Sequence, residues 1–317
     1  MRAVFLDKNT FSSAIEFSAI EKQVTQLSFY ANTIPSEVIP RCLDADIIIT
    51  NKVQLTAEIL SALPNVKLIC ISATGYNNVD MEAAKHLNIA VTNVSGYAGQ
   101  SVAQYVFAQL LEYYQQTSHQ NSNTEQGLWS CSDAFCYHGN SISELAGKTL
   151  GIVGYGSLGK AVAGIAKAFN MKVLISERPK AKVTRVDRVT FKQVIEQADI
   201  ISLHCPQTAE TEQLINADVL SRMKNTAVLV NTARGALIDE KALLHSLESK
   251  EIACAILDVL TQEPPPSNHP LLNNNLMNLK ITAHIAWASI EAQQRLIDLL
   301  SQNIIAFNQG ERLNRLD

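Results

Sequence analysis

The residues Gly154-Tyr155-Gly156-Ser157-Leu158-Gly159 stand between an apolar run, Leu150–Val153, and a helix-length segment, Lys160–Phe169. In that setting the first glycine permits a tight turn and the second lets the backbone approach a pyrophosphate. The third lets helix and strand pack closely. The helix N-terminus adds unpaired N–H groups and about half a positive charge for phosphates. The next run, Val173–Ile175, leads into Ser176-Glu177-Arg178, and Glu177 lies 23 residues beyond Gly154. An acidic residue about 20 residues on is where adenosine ribose hydroxyls are held. A glycine-rich turn without any ligand would explain the glycines alone. Strand, helix and acid together point to a dinucleotide. Glu177 favours NAD by repelling a 2′-phosphate, while Arg178, Lys180 and Lys182 leave NADP open.

Three further residues can do acid–base and anion chemistry. Arg234 follows the apolar run Ala227–Val230, Glu263 follows Ala253–Leu257, and His284 follows Leu279–Thr282. Ligands of open α/β sheets bind at the carboxyl ends of strands, which is where all three are expected. A guanidinium forks onto a carboxylate, a histidine exchanges a proton near neutral pH, and a carboxylate can orient that histidine. Singly, each has a plainer explanation: a structural ion pair, a solvated loop acid and a core histidine. Jointly, beside a dinucleotide fingerprint, they read as an active site.

The elements that must position these groups alternate along the chain. Further apolar runs occur at Val4–Leu6, Ile47–Thr50, Leu68–Ser72, Ile89–Thr92 and Ile200–Leu203, with helical periodicity between runs, as at Asp239–Leu247. Continuous apolar character suits strands covered on both faces, hence parallel sheets with crossover helices in an α/β, doubly wound fold. Ser101–Gln115 and Ser289–Phe307 read as helices, the latter with Ser289 as N-cap. The polar stretch Gln115–Thr124 is expected to be an exposed loop.

Composition sets the outer bounds. The chain has 317 residues, 47% hydrophobic and 18% charged, which excludes a disordered chain and suggests two domains. A net charge of −4 argues against nucleic-acid binding. The apolar start is too short for a signal sequence and no run is long enough to span a bilayer, so no membrane partner and a cytoplasmic location are expected. The six cysteines (Cys42, Cys70, Cys131, Cys136, Cys205 and Cys254) form no Cys-x-x-Cys, so neither a metal site nor a disulfide framework is expected.

The chain resembles the D-2-hydroxyacid dehydrogenase family over nearly its whole length. The resemblance is carried by the glycine loop, Leu203-His204-Cys205-Pro206-Gln-Thr208, Val230-Asn-Thr232-Ala233-Arg234-Gly, Asp258-Val-Leu-Thr-Gln-Glu263-Pro and His284-Ile-Ala-Trp287. Within the family, the glycerate dehydrogenase (hydroxypyruvate reductase) branch is resembled most. Ala73-Thr74-Gly75-Tyr76-Asn77-Asn-Val-Asp80, Ser101-Val-Ala-Gln104 and Gly127-Leu-Trp129 carry that likeness. It implies two Rossmann-like doubly wound parallel-sheet domains: a discontinuous substrate domain, 1–97 with 288–317, around a central NAD-binding domain, 98–287. Arg234 would clamp a substrate carboxylate, His284 would donate the proton and Glu263 would orient it. Thr74, Gly75, Asn77 and Trp287 would meet the substrate, although core packing explains Trp129 and Trp287 equally well. His204, Cys205, Pro206, Thr232 and Ala233 would join the glycine loop, Glu177 and Arg178 around the cofactor, with Asp258 near the nicotinamide carboxamide.

The resemblance further implies a small 2-keto or 2-hydroxy acid as substrate and a homodimer in which the segment around Gln115–Asn140 reaches across. The expected reaction is reduction of hydroxypyruvate to D-glycerate. Because Tyr76 replaces a frequent Thr, Tyr105 a common His, and His138-Gly-Asn140 departs from an aromatic-rich run, a broad glyoxylate/2-keto-acid reductase, NADPH-linked in one form, is the alternative. With the sequence ending at Asp317, no appended regulatory domain is expected. A non-catalytic nucleotide-sensing protein on the same fold is the remaining alternative.

Overall fold

The computed structural model describes residues 1–316. Contacts divide the chain into two compact units: Met1–Ala98 with the segment from Trp287 onward, and Gly99–Ala286. Each is built on a wholly parallel sheet, as the continuous apolar runs anticipate.

In the first unit the strands are β1 (Arg2–Phe5), β2 (Gln26–Phe29), β3 (Ile47–Thr50), β4 (Leu68–Ile71) and β5 (Ala90–Thr92), in the order β2-β1-β3-β4-β5. All four residues of β3 and of β4 are buried, because helices cover both faces. The edge strand β2 alternates polar and apolar residues and is only half covered, which is why no apolar run announces it. The long helix Ile290–Asn308 completes this unit. Ser289 caps it by accepting the Ala292 N–H at 3.2 Å, and Leu296, Ile297, Leu300 and Ile304 are buried. Arg295 Nε donates to the Tyr97 carbonyl (2.9 Å), Asn303 Nδ2 to the Asn93 carbonyl (3.0 Å), and the Ser12 N–H to Gln293 Oε1 (2.8 Å).

The strand order reverses at β1, so the carboxyl ends of β1 and β3 form the position where open α/β sheets take ligands. Here Asp7 fills it. Its buried carboxylate accepts the Asn51 N–H (2.9 Å), the Lys52 N–H (2.7 Å) and Thr50 Oγ1 (3.2 Å). Burial nonetheless raises its pKa, against the opposing pull of those donors.

The second unit has β6 (Thr149–Val153), β7 (Lys172–Ile175), β8 (Ile200–Leu203), β9 (Val228–Asn231), β10 (Cys254–Leu257) and β11 (Leu279–Ile281), in the order β11-β10-β9-β8-β6-β7. Its core joins Ile201, Leu203, Leu229, Leu237, Leu243 and Leu257 with flanking helices. Helix Gly99–Gln115 packs along helix Ser157–Ala168, and Phe107 stacks on Phe169 with centroids 5.4 Å apart.

The polar stretch after Gln115 is not a loop, contrary to the sequence expectation. Gln116 takes a left-handed turn (φ +49°) and Thr117–Glu125 forms a second helix. The Glu112 carboxylate accepts the Thr117 hydroxyl and the Ser118 N–H, satisfying the new helix start. Gln120 Nε2 donates to the carbonyls of His138 and Asn140, and Asn123 is buried, so the polar side chains serve a neighbouring strap of chain. Among the described residues no helix is long and apolar enough to cross a membrane, and no group of three or more His, Cys, Asp or Glu could hold a metal ion.

Candidate active site

The strand order of the second unit reverses at β6, and the glycine loop leaves the carboxyl end of that strand. Gly154 has φ +97°, and a Cβ there would lie 2.4 Å from the Cys205 nitrogen and 2.5 Å from the His204 carbonyl carbon. No other residue fits that turn. A Cβ on Gly159 would lie 2.2 Å from the Gly154 carbonyl oxygen, so helix Ser157–Ala168 begins directly on the turn. At Gly156, by contrast, a Cβ would meet nothing within 4 Å. The open side of the loop is the side on which a pyrophosphate would lie.

Around this turn is a pocket of about 400 Å³ lined by Gly154, Tyr155, Glu177, Arg178, Arg185, Arg188, Cys205, Pro206, Thr208 and Thr211 among others. Among the described residues, the buried atoms Arg188 Nε, His204 Nδ1 and Thr232 Oγ1 have no hydrogen-bond partner. Arg188 lines the pocket and His204 abuts Gly154, and such orphaned groups beside a glycine-turned helix start fit a phosphate-bearing dinucleotide. Burial pushes the His204 imidazole down to about 4, so it stays neutral at pH 7, while Ser202 Oγ lies 2.9 Å from its Nε2. Burial likewise pushes the Cys205 thiol up to about 11, which keeps it protonated. Arg185 and Arg188 escape a reading that stops at Lys182. The only sequence signal for them is the continuation of that basic stretch.

The other candidate residues leave β9, β10 and β11. Asn231, the last residue of β9, is fully buried and pins the following turn. Its Oδ1 accepts the Ala233 N–H (3.0 Å) and its Nδ2 donates to the Arg234 carbonyl (2.8 Å). Arg234 is partly exposed, with Nη1 donating to the Ala233 carbonyl at 2.6 Å. A Cβ on Gly235 would lie 1.9 Å from the Leu260 carbonyl carbon, so the Arg234 turn rests on the backbone that leads to Glu263. Glu263 Oε1 accepts the Leu260 N–H (3.0 Å), and its Oε2 lies 2.7 Å from His284 Nδ1.

His284 has a left-handed backbone (φ +55°), uncommon for a residue with a side chain. Buried Asp258 accounts for it. The Asp258 carbonyl accepts the His284 N–H (2.8 Å), while its carboxylate accepts the N–H groups of Ile285 (2.9 Å) and Ala286 (2.8 Å) and the Thr282 hydroxyl (2.6 Å). Thr282 Oγ1 in turn takes the Tyr105 hydroxyl. Thus Tyr105, the residue standing where a His is common, ends a chain of hydrogen bonds that fixes the His284 loop. Burial raises the Tyr105 phenol further above its ordinary range, so it remains a donor.

Thr74, Gly75 and Asn77 follow β4 in the first unit. Thr74 Oγ1 donates to the Val94 carbonyl (2.9 Å), its own carbonyl accepts Asn93 Nδ2 (2.7 Å), and Asn77 is exposed. Trp287, also in this unit, packs edge-on against Phe11 and Tyr97, with centroids 5.8 and 6.1 Å away. Trp129 is half exposed in the second unit, its Nε1 donating to the Phe135 carbonyl.

A sheet that opens at a glycine turn, with a carboxylate-bound histidine on its neighbouring strand ends, defines an NAD-dependent oxidoreductase. Comparison with known proteins narrows this class. Residues 107–286 match the family described as D-isomer specific 2-hydroxyacid dehydrogenase, NAD binding domain. A glycerate dehydrogenase of Methylorubrum extorquens is 37% identical over 313 residues, 99% of this chain and 98% of that one. A hydroxypyruvate reductase of Blautia hydrogenotrophica is 38% identical over 281 residues, 88% of this chain and 87% of that one. The solved structure of a glyoxylate reductase from Paecilomyes thermophila matches with a TM-score of 0.81 at 29% identity, covering 100% of this chain and 98% of that one. The chain belongs to the D-isomer specific 2-hydroxyacid dehydrogenase family.

Proposed function

We propose that the protein reduces a small 2-keto acid, hydroxypyruvate foremost, to the D-2-hydroxy acid, here D-glycerate. The single observation that carries this reading is the 2.7 Å contact between Glu263 and His284 beside the Arg234 turn. Likeness to a glycerate dehydrogenase and a hydroxypyruvate reductase supports the choice of substrate.

Arg234 supplies a planar fork of donors for the substrate carboxylate and orients the adjacent carbonyl. With Nδ1 engaged by Glu263, His284 passes its proton through Nε2 to the carbonyl oxygen. The Glu263 carboxylate, 2.7 Å from Nδ1, fixes the ring plane and keeps Nε2 turned to the substrate side. Reduced nicotinamide, when bound, supplies the hydride that forms the new C–H bond. The carbonyl π electrons move to oxygen, which takes the His284 proton, and the product is an alcohol. The glycine loop would hold the pyrophosphate, and His204, Cys205, Pro206, Thr232 and Ala233 would line the cofactor. Asp258 holds the His284 loop. For Thr74, Gly75, Asn77 and Trp287 the family resemblance alone supports a contact with substrate.

Glyoxylate reduction is the second reading, favoured by the likeness to a glyoxylate reductase. We further place the enzyme in the cytoplasm as a homodimer. Free thiols at all six cysteines suit a reducing compartment, and Phe135 (93% exposed), Trp129 and Tyr137 form an apolar surface suited to a second copy. Purified protein given hydroxypyruvate, glyoxylate and larger 2-keto acids should oxidise NADH, fastest with hydroxypyruvate. Silence across the panel would overturn the reading.

A further inference from the structure

A carboxylate offers about four lone-pair positions to donors. At Glu177 this chain's own groups occupy them all. Oε1 accepts the Arg178 N–H (3.0 Å) and Arg185 Nη2, while Oε2 accepts Arg185 Nε (2.7 Å) and the Arg185 N–H (3.3 Å). The Glu177 side chain is 5% exposed, against 53% for that of Arg185. What the end of β7 offers the pocket is therefore the outer edge of a guanidinium rather than a bare carboxylate. Ribose hydroxyls seeking Glu177 as an acceptor would first have to displace Arg185.

The charges around the corner agree. Glu177 and Glu210 carry two negative charges in the pocket wall, and Arg178, Arg185 and Arg188 carry three positive ones. Arg188 Nη1 reaches the Ser176 carbonyl (3.3 Å), its guanidinium lies over the Tyr155 ring (5.8 Å), and its buried Nε has no partner among the described residues. An anion here would meet a fork already ordered by Glu177 and a second guanidinium with an unused donor.

We infer that this corner is a 2′-phosphate site, so that the protein accepts NADP(H) as well as NAD(H), with Arg185 as the residue that decides between them. Seated on Glu177, Arg185 masks the charge that would repel a 2′-phosphate and presents donors to it. Displaced, it uncovers Glu177 for the ribose hydroxyls of NAD(H). The inference rests on the dinucleotide reading of this unit, and the test separates the two.

Equilibrium binding by calorimetry would compare adenosine 2′,5′-bisphosphate with adenosine 5′-monophosphate, which differ only in the 2′-phosphate. The wild-type protein should bind the bisphosphate at least about tenfold more tightly, the scale of one charge-assisted hydrogen bond. In Arg185→Ala that advantage should fall about tenfold, because one guanidinium is lost and Glu177 is bared. Glu177→Ala should keep or enlarge the advantage. Circular dichroism would verify that both variants fold, as expected for the half-exposed Arg185 side chain. Wild-type protein that binds the monophosphate and NADH but gains nothing from the 2′-phosphate would overturn the inference and leave the dinucleotide reading intact. Binding of neither nucleotide would overturn both. An undiminished advantage in Arg185→Ala would remove Arg185 from the role assigned to it.

Discussion

The two sheets share a strand order around their points of reversal, yet those points are built in opposite ways. At β6 and β8 the chain turns through Gly154, a helix starts at once, and the buried Nδ1 of His204 has no partner among the described residues. At β1 and β3 the corresponding corner is closed by Asp7, whose carboxylate takes up the Asn51 and Lys52 N–H groups. The same topology thus gives one corner ready for an anion and one that carries its own. Doubly wound geometry makes a ligand site available, and the residues at the strand ends decide whether it is used.

That contrast can be broken experimentally. The largest effect is expected at His284. His284→Ala should lower the rate of keto-acid reduction about 10²–10⁴-fold with NADH affinity nearly unchanged, as read by stopped-flow turnover and fluorescence titration. A near-normal rate would remove His284 from the chemistry.

Acid should then act on the two corners with opposite signs. The folded-state pKa of His204 lies near 4, below its ordinary 6.5, so the unfolded chain takes up the proton first. Its contribution is intact above pH 6.5 and is lost as pH falls towards 4, up to about 3 kcal/mol. Asp7 has a raised pKa, so protonating it favours the folded state as pH drops. Urea unfolding at pH 7, 5.5 and 4.5 should therefore show a decline that His204→Asn flattens. An unchanged slope in that variant would contradict the assignment.

Smaller effects should come from the corner residues themselves. Asp7→Ala removes the carboxylate that accepts the Asn51 and Lys52 N–H groups and should lower stability by about 2 kcal/mol while sparing NADH affinity. Gly154→Ala sets a Cβ against the His204–Cys205 backbone and should lower stability by about 1–3 kcal/mol, weakening NADH binding as well. Equal effects of the two variants on NADH binding would abolish the distinction between the corners.

Much of this architecture is legible in the chain because buried parallel strands are written as uninterrupted apolar runs. Ile47–Thr50 and Ile200–Leu203 begin and end where the runs do. The glycine spacing is equally direct, since Gly154 and Gly159 answer to backbone clashes that no other residue avoids. What escapes a linear reading depends on partners brought in by the fold. Strand β2 is an edge, so its composition carries no run. Helix Thr117–Glu125 has no apolar face and is held by Glu112 and by bonds to residues 138–140. Glu177 is visible as an acid at the right spacing, but its occupation by Arg185 requires a loop to fold back over eight residues. Tyr105 stands out in sequence as a departure, whereas its bond to Thr282, and through it to Asp258, appears only in three dimensions.

The helix Ile290–Asn308 gives the molecule an order of assembly. The sheet of residues 2–92 is synthesised before segment 99–286, but the helix bound to Ser12, Asn93 and Tyr97 is made only after it. At ~5–20 residues per second the intervening segment 99–286 takes roughly ten to forty seconds to emerge, and it is continuous in sequence. On the ribosome the cofactor-binding unit can therefore finish folding while the unit begun before it still has an apolar face uncovered. In that interval the nascent chain is most in need of a chaperone.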